Sequence, residues 1–236
     1  MPAWRACALR ARKALRRRSA TLVGMTALLA GATGLIGHEL AASWTGPGEL
    51  HLLVRRAVPA GGPRQRVHVV DYTALPALPA ADEAYCCLGT TIKAAGSQAA
   101  FRAVDLDAVL AFARAAQHAG VQRFAVVSAL GASPRSATFY NRVKGEMEQA
   151  LAALGFASLV IVRPSLLAGD RARLGQPQRP GERLALALTA PLAALIPKAW
   201  RPIAAATVAR AMRRALVQAR PGVRFVESAE LQDLGT

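Results

Sequence analysis

The sequence predicts an α/β fold, a doubly wound parallel sheet with a small helical cap at its C-terminal end, and three observations carry that prediction. Short apolar runs alternate with stretches of helical spacing along most of the chain. The first run, Leu28-Leu29-Ala30, breaks directly into Gly31-Ala32-Thr33-Gly34-Leu35-Ile36-Gly37, with glycines at Gly-x-x-Gly-x-x-Gly spacing. Hydrophobic content is 53% with only 5% aromatic, so the core is built from Ala, Leu and Val, which suits helices packed on a parallel sheet.

The glycine stretch reads as strand, phosphate turn, helix. One glycine bends sharply, one lets backbone N–H groups approach a pyrophosphate, and one lets helix pack close on strand. The helix begun by Leu35 and Ile36 and continued by Leu40 then faces the anion with its N-terminus. Glu49 to Val54 is the second strand and completes a β-α-β unit. Arg55 and Arg56 follow where an acidic residue would take the ribose 2′-OH of NAD. Two arginines favour a 2′-phosphate, so NADPH is the expected cofactor and NAD the less expected one; the plainer reading is an exposed basic pair. Ala57 to Arg66 is a loop. Val67 to Val70 is the third strand and ends at Asp71, whose carboxylate either accepts from the adenine amino group or caps the next turn. Ala84 to Leu88 is the fourth strand, and Gly89-Thr90-Thr91 follows at its carboxyl end, the side on which such sheets bind ligands. Leu88, Gly89 and Thr90 are therefore cofactor-binding candidates. Cys86 and Cys87 read as core and lack the further Cys or His a metal site needs, so no metal is expected.

A long helix is expected from Ser97 to Ala119, with Phe101, Val104, Val109, Phe112 and Ala116 as its buried stripe and Gly120 as its stop. The fifth strand, Arg123 to Val127, delivers Ser128 at its tip, and the sixth, Leu159 to Val162, ends at Arg163-Pro164. Beyond it come a polar loop (Ala168 to Arg183), an apolar helix (Leu184 to Ile196), a further helix (Thr207 to Ala219) and a short strand (Val223 to Val226). This tail is expected to form a substrate cap from about residue 165, within a single domain spanning 25–236.

The formal charge of +16 is uneven, because residues 1–24 hold seven basic residues and no acid. This arm, disordered or helical, reads as a solvated tail, and no specific nucleic-acid partner is expected. Met25, directly before the first strand, is an alternative start. The uncharged run from Ser19 to Gly37 has the outline of a secretory signal, but four glycines and three threonines interrupt it and it contains the first strand. No other stretch reaches the roughly 20 apolar residues of a membrane span. Three cysteines without a disulfide framework point to a reducing compartment, and a cytoplasmic location is expected. The chain is expected to be a monomer or homodimer.

Tyr140 and Lys144 lie four apart, on one face of a helix after the fifth strand. A phenol near pKa 10 is a poor acid–base group at neutral pH, and an ammonium beside it favours the phenolate. Ser128, at a strand tip facing the same cleft, would orient a substrate carbonyl. The reaction these residues suit is hydride transfer from a nicotinamide to a carbonyl carbon. Tyr140 would give the proton to oxygen, and Lys144 would also hold the nicotinamide ribose.

These residues resemble the short-chain dehydrogenase/reductase superfamily, and more closely its atypical branch typified by the Tat-interacting-protein oxidoreductases. The likeness runs from about residue 26 to the end. It includes Gly31-Ala32-Thr33-Gly34, Cys86-Cys87-Leu88-Gly89-Thr90-Thr91, Tyr140 with Lys144-Gly145-Glu146, Arg163-Pro164, Asp170-Arg171, Arg179-Pro180-Gly181-Glu182 and Asp233-Leu234-Gly235. The resemblance implies a Rossmann fold, NADPH bound by the glycine turn and Arg55, and Ser128, Tyr140 and Lys144 as the catalytic set. It adds Arg163 and Pro164 to the cofactor-binding candidates. Where most of the superfamily carries an Asn on the central helix this chain has Asp105. The alternative function is an NADPH-sensing binding protein whose catalytic residues are vestiges.

Overall fold

In the computed structural model, which describes residues 25–168 and 197–236, seven strands form one parallel sheet. They are β1 (Ala27–Ala30), β2 (Leu50–Val54), β3 (Gln65–Val69), β4 (Glu83–Cys86), β5 (Arg123–Val127), β6 (Ser158–Arg163) and β9 (Gly222–Glu227), in the order β3-β2-β1-β4-β5-β6-β9. A small second sheet pairs β7 (Leu167–Ala168) with β8 (Ile203–Ala204). The strand order reverses between β1 and β4, and in such sheets the crevice at that reversal, beyond the carboxyl ends of the strands, is where ligands bind.

Both faces of the sheet are covered. Ala27 and Leu29 of β1 face one apolar layer, with helix α1 (Leu35–Ala42) and helix α6 (Ala205–Val217). Leu28 and Ala30 face the other, with helix α4 (Ala108–His118) and helix α5 (Phe139–Ala153). The four residues of β1 are fully buried, which is why it reads as an unbroken apolar run without polar alternation.

The long helix expected from Ser97 to Ala119 is broken. A short helix α2 (Ile92–Ala95) precedes it, and α3 (Gln98–Arg102) passes through a π-helical turn, Ala103–Asp107, into α4. The Ser97 hydroxyl caps α3 by accepting from the Ala100 N–H. The expected stripe is buried at Phe101, Val109, Phe112 and Ala116, whereas Val104 is only partly buried and Asp105 and Leu106, within the π turn, are buried.

The C-terminal region differs from the expectation of a substrate cap. The stripe Val208, Met212 and Leu216 of α6 packs into the sheet layer of α1, and β9 pairs in parallel with β6 along its whole length. A last helix, α7 (Ser228–Leu234), follows. Residues 203–236 thus complete the main fold, because an apolar helix stripe and a free strand edge are satisfied most fully by the open side of the sheet. The basic arm, the helix expected from Leu184 to Ile196 and most of the loop before it lie outside the described residues. No helix among the described residues is long and apolar enough to cross a membrane.

Candidate active site

Gly31 directly follows β1 with φ +86°, a left-handed conformation that glycine adopts without penalty. A Cβ there would stand 2.5 Å from the carbonyl of Cys87, so the turn after β1 lies flat against the chain leaving β4. Gly34 is the N-cap of α1 and no side chain caps that end, leaving its first N–H groups turned to the crevice. Such a bare helix start beside a glycine turn fits a pyrophosphate. Ile36 is buried in the core and Leu35 packs against it, so both can offer a dinucleotide only their backbone N–H groups. Ala32 is likewise buried, and Thr33 is exposed.

Arg55 and Arg56 are exposed just past β2. Beneath them the buried Tyr72 hydroxyl donates to the Leu53 carbonyl at 2.9 Å, which anchors the chain after β3 to the end of β2. Asp71 is exposed, and its Oδ1 accepts from both the N–H and the hydroxyl of Thr73 at 2.8 Å. The carboxylate therefore caps the turn, and these bonds hold it below the usual carboxylate range. Burial pushes the Cys86 thiol up to about 12, so it is inert as a nucleophile. No group of three or more His, Cys, Asp or Glu among the described residues is arranged to hold a metal.

The chemistry gathers where β4, β5, α5 and the π turn meet. Lys144 is 3% exposed, and its Nζ lies 2.8 Å from Oδ1 of Asp105, which is 0% exposed. The ammonium also donates to the carbonyl of Val127 at 3.4 Å. Asp105 Oδ2 accepts from the Thr90 N–H at 2.8 Å. Gly89 closes over the pair, for a Cβ there would sit 3.5 Å from Asp105 Oδ1 and 3.8 Å from Lys144 Nζ. Burial alone would pull the Lys144 pKa down, but the Asp105 carboxylate and Tyr140 outweigh it and raise it above the ordinary value.

Ser128 follows Val127, and its hydroxyl is buried with no hydrogen-bond partner among the described residues. Tyr140, one turn before Lys144 on α5, is half-buried, with its ring 5.3 Å from that of Phe101. The structure thus brings Ser128, Lys144 and the Leu88-Gly89-Thr90 loop to one place, with Tyr140 on the same helix face as Lys144. Pro164 accepts from the Leu130 N–H at 3.0 Å, which ties the end of β6 to the segment after Ser128. Arg163 is engaged elsewhere: its guanidinium contacts Glu148 at 2.9 and 2.6 Å and Glu227 at 2.9 Å, and lies over the Phe225 ring. What residue spacing does not announce is the pairing of Asp105 with Lys144, since it depends on how the π turn meets α5.

A family model described as NAD(P)H-binding matches residues 31–187. Protein HTATIP2 of Rattus norvegicus is 37% identical over 175 residues, covering 71% of this chain and 69% of that protein. The chain belongs to the atypical short-chain dehydrogenase/reductase family, whose members bind NAD(P)H on a Rossmann fold. Another relative is protein FMP52, mitochondrial, of Eremothecium gossypii, 37% identical over 155 residues, 62% of this chain and 68% of that protein. Among solved structures, MoeE5 in complex with UDP-glucose and NAD superposes with a TM-score of 0.66 at 18% identity, over 89% of this chain and 80% of that one, which supports the fold. The family membership carries an oxidoreductase-like domain. It also overturns the expected cytoplasmic location, because several fungal relatives 33–43% identical are named mitochondrial proteins. Unpaired cysteines report a reducing environment and do not say which compartment supplies it.

Proposed function

We propose that this member of the family is an NADPH-dependent reductase of a small carbonyl compound. The observation that carries the reading is the buried Lys144, kept charged by Asp105 on the same helix face as Tyr140 and beside the unpartnered Ser128 hydroxyl. A buried hydroxyl without a protein partner loses its hydrogen bond unless a ligand supplies one, so Ser128 is suited to hold a substrate oxygen.

Bound NADPH supplies a hydride. Gly31 and the bare N-terminus of α1 would hold its pyrophosphate, Arg55 and Arg56 its 2′-phosphate, and the Leu88-Gly89-Thr90 loop its nicotinamide half. Ser128 donates a hydrogen bond to the carbonyl oxygen and fixes its direction. Tyr140 passes its phenolic proton to that oxygen, and the Lys144 ammonium favours the phenolate that remains.

A second reading has its own observation. Lys144 is so closely held by Asp105 and Val127 that the site also suits a protein that binds NADPH tightly and signals through a partner. Measuring NADPH and NADH affinity, then NADPH consumption against a panel of aldehydes and ketones, separates the two. Turnover of any carbonyl supports the reductase, and tight NADPH binding with no turnover across the panel supports the sensor.

A further inference from the structure

Asp105 is the most deeply enclosed charge among the described residues. A carboxylate is taken fully out of water only where partners replace its hydration. Here the partners lie on two different elements: the Lys144 ammonium on α5, and the Thr90 amide in the loop after β4. Position 105 lies four residues from both Phe101 and Val109, which are fully buried, so it shares their face, and the π turn Ala103–Asp107 falls at this point of the helix.

We propose that Asp105 is a positioning residue of the cofactor site, acting through Lys144 and the Thr90 amide to lock the catalytic lysine to the loop beyond β4. The inference rests on the reading that this lysine and this loop meet the cofactor. An ammonium has three N–H donors. The Asp105 carboxylate lies 2.8 Å from it and the Val127 carbonyl accepts one donor, so the ammonium is held in place before any ligand arrives. Asn at 105 cannot reproduce this: its carbonyl oxygen can accept from Thr90 or from Lys144, and its NH2 must then face the other donor. The lysine would be left buried without a counter-charge, and burial then drives off its proton. The other groups around Lys144 are the Tyr140 phenol on its own helix and the Cys86 thiol on β4, so among the described residues Asp105 is the one carboxylate beside it.

The test is NADPH affinity, followed by the fluorescence of the bound cofactor from about pH 6 to pH 9, for wild type, Asp105→Asn, Lys144→Met and the double variant. The expected result is a loss of about tenfold or more in Asp105→Asn near neutral pH, growing relative to wild type as the pH rises. In the Lys144→Met background the same substitution should cost little further, because it acts through the lysine. Wild-type affinity in Asp105→Asn at every pH would overturn the proposal. So would a pH-independent loss that persists in the Lys144→Met background, which would make Asp105 a purely structural residue. None of these readouts uses turnover, so a protein that binds NADPH and reduces nothing overturns the reductase reading and leaves this one standing. Should Asp105→Asn fail to fold, hydrogen exchange of the Thr90 amide in the cofactor-free wild type decides: protection is expected, and exchange as fast as that of an open loop would overturn the proposal.

Discussion

Gly37, in the first turn of α1, stands against the backbone of Gly31: a Cβ on residue 37 would lie 2.1 Å from the Gly31 carbonyl oxygen. Backbone, unlike the end of a flexible side chain, cannot move aside without carrying its turn with it. Gly37→Ala is therefore expected to lower stability by about 1–3 kcal/mol, the usual cost of overpacking. It should also weaken NADPH binding, because the displaced carbonyl belongs to the phosphate turn. Urea unfolding with a parallel cofactor titration checks both, and loss of stability without loss of affinity would show that the helix yields instead of the turn.

Arg55 stands one residue beyond β2 and is exposed to solvent, so its charge is free to meet a ligand phosphate. Arg55→Asp is expected to weaken NADPH by roughly 1–3 kcal/mol more than NADH, the worth of charge-assisted bonds to the 2′-phosphate. Competitive titration of the two cofactors measures the difference. Equal losses would remove the basis for preferring NADPH.

Tyr140→Phe removes one hydroxyl and keeps the ring that packs on Phe101. In a reductase it should cut turnover by about 10²–10⁴-fold, the range for a positioned acid, while NADPH affinity hardly moves. Steady-state rates on whichever carbonyl proves active are the measurement, and full activity in the variant would place the proton donor elsewhere.

The Arg163 side chain is 21% exposed and that of its partner Glu148 only 6%, so removing the arginine strands a nearly buried carboxylate. Arg163→Ala is expected to cost about 3–5 kcal/mol of stability, toward the lower end because the arginine is partly solvated. NADPH affinity should change little, since the guanidinium is already committed to Glu148 and Glu227. A large loss of affinity in a stably folded variant would instead assign Arg163 to the cofactor.

His51 and His68, on adjacent strands β2 and β3, share one hydrogen bond of 2.8 Å between Nδ1 and Nε2. Only one ring can donate, so protonating both breaks the bond. Burial first, then the neighbouring His68, holds His51 below its ordinary 6.5, with Glu49 opposing and Arg66 adding to the effect. A folded pKa below the unfolded one stabilises the neutral form, so this contribution is complete above about 6.5 and is lost as the pH falls below it. Urea midpoints should therefore fall between about pH 7 and pH 5, and the fall should be shallower in His51→Gln.

The strands, the phosphate turn and the Tyr140–Lys144 pair were legible in the chain because each is a local pattern. Leu28 to Ala30 and Phe124 to Val127 are apolar runs of strand length, Gly31 to Gly37 is a fixed spacing, and two residues four apart share a helix face wherever that helix packs. The tertiary structure alone decided three things. Val223 to Val226 reads as any short strand would, and only the open edge of β6 makes it the seventh member of the sheet. Arg163 matches a motif, yet its guanidinium is taken by Glu148 from α5 and Glu227 from β9, two carboxylates that adjoin only after the sheet has formed. Asp105 shares a helix face with Phe101 and Val109, four residues away on either side, yet that its carboxylate meets the Lys144 ammonium depends on how the π turn and α5 pack together. Periodicity records which way a side chain faces relative to its own element, whereas the pairing of charges depends on how elements meet, and that is settled by burial acting on the whole chain at once.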